Sequence, residues 1–311
     1  MIDRLTDKIE RCGASIVVGL DPTYAMIPGS LRAECLEAHG PTPRAVAAMF
    51  TAYNKRIIDG VCDLVPAVKP QIAMYEQFGP EGIFAYVETT RYAAEKGLLV
   101  IGDVKRGDIA STAAAYAAHL SGVRIESRAY EIWTEDAITL NPYMGSDSAA
   151  PFLAVCRERD KGVFVLVKTS NPGSADLQDL VLAASGLTVC EHVADLVSGW
   201  GADMIGSCGY SKVGAVVGAT FAARGAALRK RMPRVFFLVP GYGAQGALGK
   251  DLSGFFDRDG GGCIVNSSRG ITAAWQNDGK FGEHNVGEAA REAVQSMRID
   301  IETALRGRTS A

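Results

Sequence analysis

Short apolar runs bounded by glycine, proline or asparagine recur along the chain, at 15–20, 64–69, 98–103, 137–141, 162–168, 202–207, 235–239 and 263–266. Each is followed by a longer segment with helical periodicity. The runs do not alternate between apolar and polar positions, which suits strands of a parallel sheet covered on both faces. Helices are expected over 43–59, 82–96, 109–121, 147–157, 188–198, 212–231, briefly after Gly243, and over 286–305. This spacing leaves room for a crossover helix between successive strands, as parallel pairing requires. Eight β/α units predict one closed (β/α)8 TIM barrel spanning 1–311, with a doubly wound open sheet as the structural alternative. Three connections, 22–41, 122–136 and 170–187, exceed the usual α/β loop length. The first and third follow strands 1 and 5 on the catalytic face, and the third is a candidate lid. Residues 306–311 are expected to fray.

Composition narrows the classes of function. Hydrophobic residues are 48% and charged residues 22% of 311, ordinary globular usage that excludes a disordered or fibrous chain. With 32 Lys+Arg against 35 Asp+Glu the net charge is −3. That offers no basic footprint for nucleic acid and no polybasic membrane patch, so an anionic ligand must be met by a local site. The 7 cysteines are odd in number and never closer than 18 residues, Cys190 to Cys208. Neither a disulfide framework nor a C-x-x-C pair is present, and a reducing cytoplasm is expected. The polar start of the chain and the lack of an 18-residue apolar run argue against export or membrane insertion. The 4 histidines have no metal-ligand spacing. Glycine, at 35 residues, is the one enriched type.

Barrels of this kind place their chemistry at the carboxyl ends of the strands. Those positions here are unusually polar: Asp21, Lys69, Asp103 with Lys105, Asn141, Ser170, the 240–246 loop and Arg269. In Gly102-Asp103-Val104-Lys105-Arg106-Gly107-Asp108-Ile109, strand alternation puts Asp103 and Lys105 on the same side, sharing a pocket. The same residues also read as a structural ion pair, with Asp108 as the N-cap of the next helix. Lys69 ends an apolar strand, where a lysine is expensive unless paired or able to snorkel to the rim. Asp21 before Pro22 opens a turn or serves the site, and Ser170 in Ser170-Asn171-Pro172-Gly173 has the same two readings.

Two late segments suit a phosphate. Pro240-Gly241-Tyr242-Gly243-Ala244-Gln245-Gly246 offers glycine-freed backbone N–H groups, and Asn266-Ser267-Ser268-Arg269-Gly270-Ile271 adds a guanidinium able to bind phosphate bidentately. The loops after strands 7 and 8 are where barrels commonly bind phosphate. Neither segment is a Walker or Rossmann motif.

In combination and in this order, Gly19-Leu20-Asp21-Pro22, Lys69-Pro70-Gln71, Asp103-Val104-Lys105-Arg106-Gly107-Asp108-Ile109, Thr169-Ser170-Asn171-Pro172-Gly173, Pro240–Gly246 and Ser268-Arg269-Gly270 resemble the orotidine 5'-phosphate decarboxylases, and more closely their longer bacterial branch. The resemblance covers most of the chain. It implies cofactor-independent decarboxylation of orotidine 5'-phosphate to UMP, the last step of de novo UMP synthesis. Lys69, Asp103, Lys105 and Asp108 match the family's alternating Lys-Asp-Lys-Asp array, with Lys105 the proton donor. Asp108, Ile109 and Thr112 match residues that enter the partner subunit's site, which implies a homodimer. Asp21 matches the residue that holds the ribose hydroxyls, Ser170 a pyrimidine contact, and Gln245 and Arg269 the phosphate grip beside Gly241, Gly243 and Ser268. The chain departs from shorter relatives in its long loops after strands 1 and 5 and in carrying Ser268 where they have glycine. No cofactor or metal is implied.

Two rivals share parts of this pattern. A Mg2+-dependent sugar-phosphate decarboxylase or aldolase would use the D-x-K-x-x-D strand, but no further Glu at a strand end completes an oxygen-ligand site. A non-catalytic nucleotide sensor would need the phosphate loops and has no use for Lys105.

Overall fold

The computed structural model describes residues 1–243, 246–277 and 279–308. Eight parallel strands close into a barrel in chain order: β1 (Ile16–Leu20), β2 (Ala67–Pro70), β3 (Leu99–Arg106), β4 (Ala137–Leu140), β5 (Gly162–Lys168), β6 (Val213–Val217), β7 (Phe237–Pro240) and β8 (Cys263–Ser267). Val17 stands beside Ala67 of β2 on one side and Asn266 of β8 on the other, which closes the ring. The fold is the (β/α)8 barrel expected from the unalternating runs, and every residue of β1, β2, β4, β6 and β8 is buried.

The apolar side chains sort into two layers. Val17, Ala67, Leu99, Ile101, Phe164, Leu238 and Ile264 fill the barrel, while a larger cluster, including Val18, Val68, Val100 and Val165, meets the surrounding helices. An N-terminal helix absent from the periodicity reading, Ile2–Cys12, plugs the amino end of the barrel with Met1, Ile2 and Leu5. Asp3 on this helix accepts the Cys208 N–H at 2.8 Å, which holds its carboxyl down at about 2.

The sixth strand lies elsewhere than expected. Residues 202–207 form a loop that folds back through an Ile205–Ser211 bridge, while Val213–Val217, inside the stretch 212–231 read as helix, is the strand. The helix begins only at Ala222. Periodicity does not separate short apolar runs into strand and helix, and Val213-Gly214-Ala215-Val216-Val217 satisfies both. Packing decides: a Cβ on Gly214 would stand 2.5 Å from the Phe164 ring, so the close β5–β6 approach needs the glycine.

The other helices lie within a few residues of expectation. Pro43–Val61 starts with Thr42 accepting the Ala45 N–H, and Val189–Trp200 starts with a Thr188–Glu191 capping box. The segment 109–121 divides into Ala110–Tyr116 and Ala118–Ser121. All three long connections are structured. The first carries a helix, Gly29–His39, whose opening N–H groups at Gly29 and Ser30 both reach Glu283 at 2.9 Å. The second carries a hairpin, Val123–Ile125 with Arg128–Tyr130. The third, after β5, folds into the turn Pro172–Ser174 and the short helix Ala175–Gln178. It is fastened to its strand: Gln178 accepts the Thr169 N–H at 2.9 Å, and the buried Lys168 ammonium meets Asp179 at 2.9 Å. The final helix runs Val286–Arg308 and so includes 306–308 of the expected tail; 309–311 lie outside the described residues.

Candidate active site

The site begins with an irregularity in β3. Its ladder with β4 is regular at Ile101–Ala137 and Gly102–Ile138 and resumes at Arg106–Leu140, so Asp103, Val104 and Lys105 stand opposite Thr139 alone. Such bulges bend a strand and re-aim its side chains. Lys105 lies at φ 45°, in the left-handed region that a lysine seldom adopts. Asp103 and Lys105 do share one pocket, as expected from alternation, but the bulge is what aims them.

Asp103 is the hub. Its Oδ2 accepts from Lys69 Nζ at 2.7 Å and Gln71 Nε2 at 2.9 Å; its Oδ1 accepts from Lys105 Nζ at 2.6 Å and Thr139 Oγ1 at 3.0 Å. Burial favours the neutral acid, but the two ammonium groups outweigh it and hold the Asp103 carboxyl far below the usual carboxylate range. Lys69, 4% exposed, answers in kind: burial would lower its pKa, and Asp103, then Asp21, more than offset that and raise it. Lys69, Asp103 and Lys105 are therefore a fixed row of alternating charge, with only Lys105 reaching solvent.

This row forms one wall of a cavity of about 460 Å³ at the carboxyl ends of the strands. Of the residues singled out from sequence, Asp21, Lys69, Asp103, Lys105, Ser170, Gly241 and Ser268 line it. Gly243 does not, although its φ of 71° is one the loop after β7 requires. Arg269 is exposed on a short helix, Arg269–Thr272, beyond the cavity wall. Asn141, a polar strand end, turns away and caps the Tyr143 N–H at 3.0 Å. Asp108, Ile109 and Thr112 lie outside their own chain's cavity, with Ile109 57% exposed. Gln245 lies outside the described residues.

Among the polar lining residues, Gln71, Thr139, Thr169, Asn171 and Asn266 were given no role of their own from sequence. Gln71 stands two positions after Lys69, so alternation signalled it, and Asn266 is a polar residue inside a buried run. Thr139 carried no signal, because a β-branched residue is ordinary in a strand. Two acceptor oxygens in the cavity, Asp21 Oδ1 and Asn266 Oδ1, are buried and have no hydrogen-bond donor among the described residues. Gly19 keeps this corner open: a Cβ there would lie 1.9 Å from Ser268 Oγ. Among the described residues no cluster of three His, Cys, Asp or Glu side chains is arranged to hold a metal ion, and no helix is long and apolar enough to cross a membrane.

The model of the orotidine 5'-phosphate decarboxylase / HUMPS family matches 15–280. The orotidine 5'-phosphate decarboxylase of Petrotoga mobilis is 41% identical over 304 residues, covering 97% of this chain and 98% of its own. That of Rhodopirellula baltica is 42% identical over 304 residues, covering 98% of each. Among solved structures, the UMP synthase of Leishmania donovani superposes with a TM-score of 0.75 at 35% identity, over 98% of this chain and 56% of that longer one.

Proposed function

The chain belongs to the orotidine 5'-phosphate decarboxylase / HUMPS family, and from that premise we propose that it converts orotidine 5'-phosphate to UMP and CO2 in pyrimidine biosynthesis, with Lys105 protonating C6 and no cofactor. The observation that carries the reading is the Lys69–Asp103–Lys105 row on the wall of the cavity.

Loss of CO2 from C6 of the orotate ring leaves an electron pair on a vinylic carbon, with no adjacent carbonyl to take it up as an enolate. Acceleration toward the upper enzymic range, ~20 kcal/mol, is required. A fixed ammonium placed where that charge develops supplies electrostatic stabilisation and then the proton. Lys105 fits both tasks. Asp103 and Lys69 hold it in place, so little reorganisation is needed as the C–C bond breaks.

Nucleotide binding divides among the remaining walls. The unsatisfied Asp21 oxygen suits ribose hydroxyl donors. Ser170 offers a hydroxyl to the pyrimidine, and the loops carrying Gly241, Gly243, Gln245, Ser268 and Arg269 grip the phosphate. Binding energy from that remote group helps orient the ring. Asp108, Ile109 and Thr112, which lie outside their own chain's cavity, are assigned to the partner's site in a homodimer. There Asp108 would face the substrate carboxylate; at ~4 Å and an effective dielectric of 20 the repulsion is ~4 kcal/mol, relieved as CO2 departs.

The test is incubation with orotidine 5'-phosphate in excess EDTA. Release of CO2 and accumulation of UMP are expected; substrate left intact, or turnover that returns only with Mg2+, would overturn the proposal in favour of the sugar-phosphate class. Arg269→Ala should lower kcat/KM for the nucleotide at least ~10-fold, as loss of a charge-assisted contact does.

A further inference from the structure

Thr139 is the one residue of β4 opposite the three-residue bulge of β3. Where the ladder is regular, the neighbouring strand meets each N–H with a main-chain carbonyl. At the bulge a side chain takes that place: the Lys105 N–H donates to Thr139 Oγ1 at 2.9 Å. The same hydroxyl has one proton to give, and gives it to Asp103 Oδ1 at 3.0 Å, the carboxylate oxygen that Lys105 Nζ reaches at 2.6 Å. Lys105 is thus held at its backbone and at its ammonium through a single oxygen of Thr139, a residue 2% exposed.

Physical cost shows that this arrangement is needed. A lysine at φ 45° is strained, and such strain persists only where its surroundings over-determine it. Without an acceptor the Lys105 N–H at the bulge would lose its partner, and the backbone would relax toward regular pairing. The ammonium would then be displaced, since a bulge bends its strand and re-aims the side chains it carries.

We infer that Thr139 is a positioning residue of the reaction, its hydroxyl locking the strained Lys105 backbone and orienting the Asp103–Lys105 pair toward the reacting carbon. The inference rests on the decarboxylase reading. It adds to the charged row a neutral member whose effect is on the chemical step and not on nucleotide affinity, because the phosphate and ribose contacts lie on other strands.

The experiment compares wild type with Thr139→Val, Thr139→Ser and Thr139→Ala in the full chain, measuring kcat and KM for orotidine 5'-phosphate. Valine keeps the shape and removes both hydrogen bonds; serine keeps both. The Val variant is expected to lose ~10²-fold in kcat, the scale of an ångström-sized misplacement, with KM changed by less than about threefold. The Ser variant should recover most of that loss. If circular dichroism shows the Val variant unfolded, the Ala variant, which lacks the hydroxyl without the branched apolar surface, carries the same expectation. Val or Ala variants that fold and turn over within about threefold of wild type would overturn the inference, as would a Ser variant as impaired as Val. A wild-type protein without turnover would instead overturn the decarboxylase reading on which the inference stands.

Discussion

Among the described residues Asp21 Oδ1 is a buried acceptor without a donor, which costs free energy unless a ligand supplies one. Asp21→Asn keeps the shape, halves the acceptor capacity and removes a charge that helps keep Lys69 ionised. Loss of one charge-assisted hydrogen bond is worth about 2 kcal/mol, so kcat/KM should fall roughly thirty-fold. Steady-state kinetics with orotidine 5'-phosphate checks this, and an unchanged kcat/KM would remove Asp21 from the ribose site. That Asp21, Lys69, Asp103 and Lys105 gather at one cavity was legible in the sequence because a charge at the end of an apolar strand is anomalous. Thr139 was not, because its task depends on a register shift between two strands that no local pattern records.

At the scale of elements, β3 is tightly packed where its bulge begins. Gly102 lies against the fully buried Glu135, which accepts from the Tyr86 hydroxyl and meets His119 Nδ1 at 2.7 Å. A Cβ at 102 would fall 2.1 Å from Glu135 Oε1. Gly102→Ala should therefore overpack this network and destabilise the fold by about 3 kcal/mol, read as a lower urea midpoint at unchanged slope. An unchanged midpoint would show that the network yields freely. Glycine at 102 gave no hint of this from sequence alone, since Glu135 arrives from a connection 33 residues on. Seven of the eight strands were legible from their apolar runs. The sixth was misplaced because five small apolar residues fit either period, and the interlock of Gly214 with Phe164 is a tertiary fact.

At the scale of the whole molecule, the proposal assigns each site to two chains. Asp108, Ile109 and Thr112 follow the bulge closely yet lie outside their own chain's cavity. Mixing Lys105→Ala with Asp108→Ala protein, each inactive alone, should regain activity after subunit exchange, because the mixed dimer holds one site with an intact Lys105 and an intact partner Asp108. Activity that stays absent in a verified mixed dimer would show that each chain builds its site alone. The barrel itself was legible, since eight apolar runs with crossover spacing admit few topologies. The helix plugging its amino end was not, because its role depends on an opening that exists only once the strands have closed.

The most direct test of the central claim is the initial rate at which orotidine 5'-phosphate loses its ultraviolet absorbance, for wild type and Lys105→Ala, both in EDTA. A fixed ammonium that stabilises the developing charge and supplies the proton predicts rapid loss with wild type and a fall of at least ~10⁴-fold in the variant. A Lys105→Ala protein that decarboxylates the substrate within tenfold of wild type would contradict the account, however well the folded variant matched the native barrel.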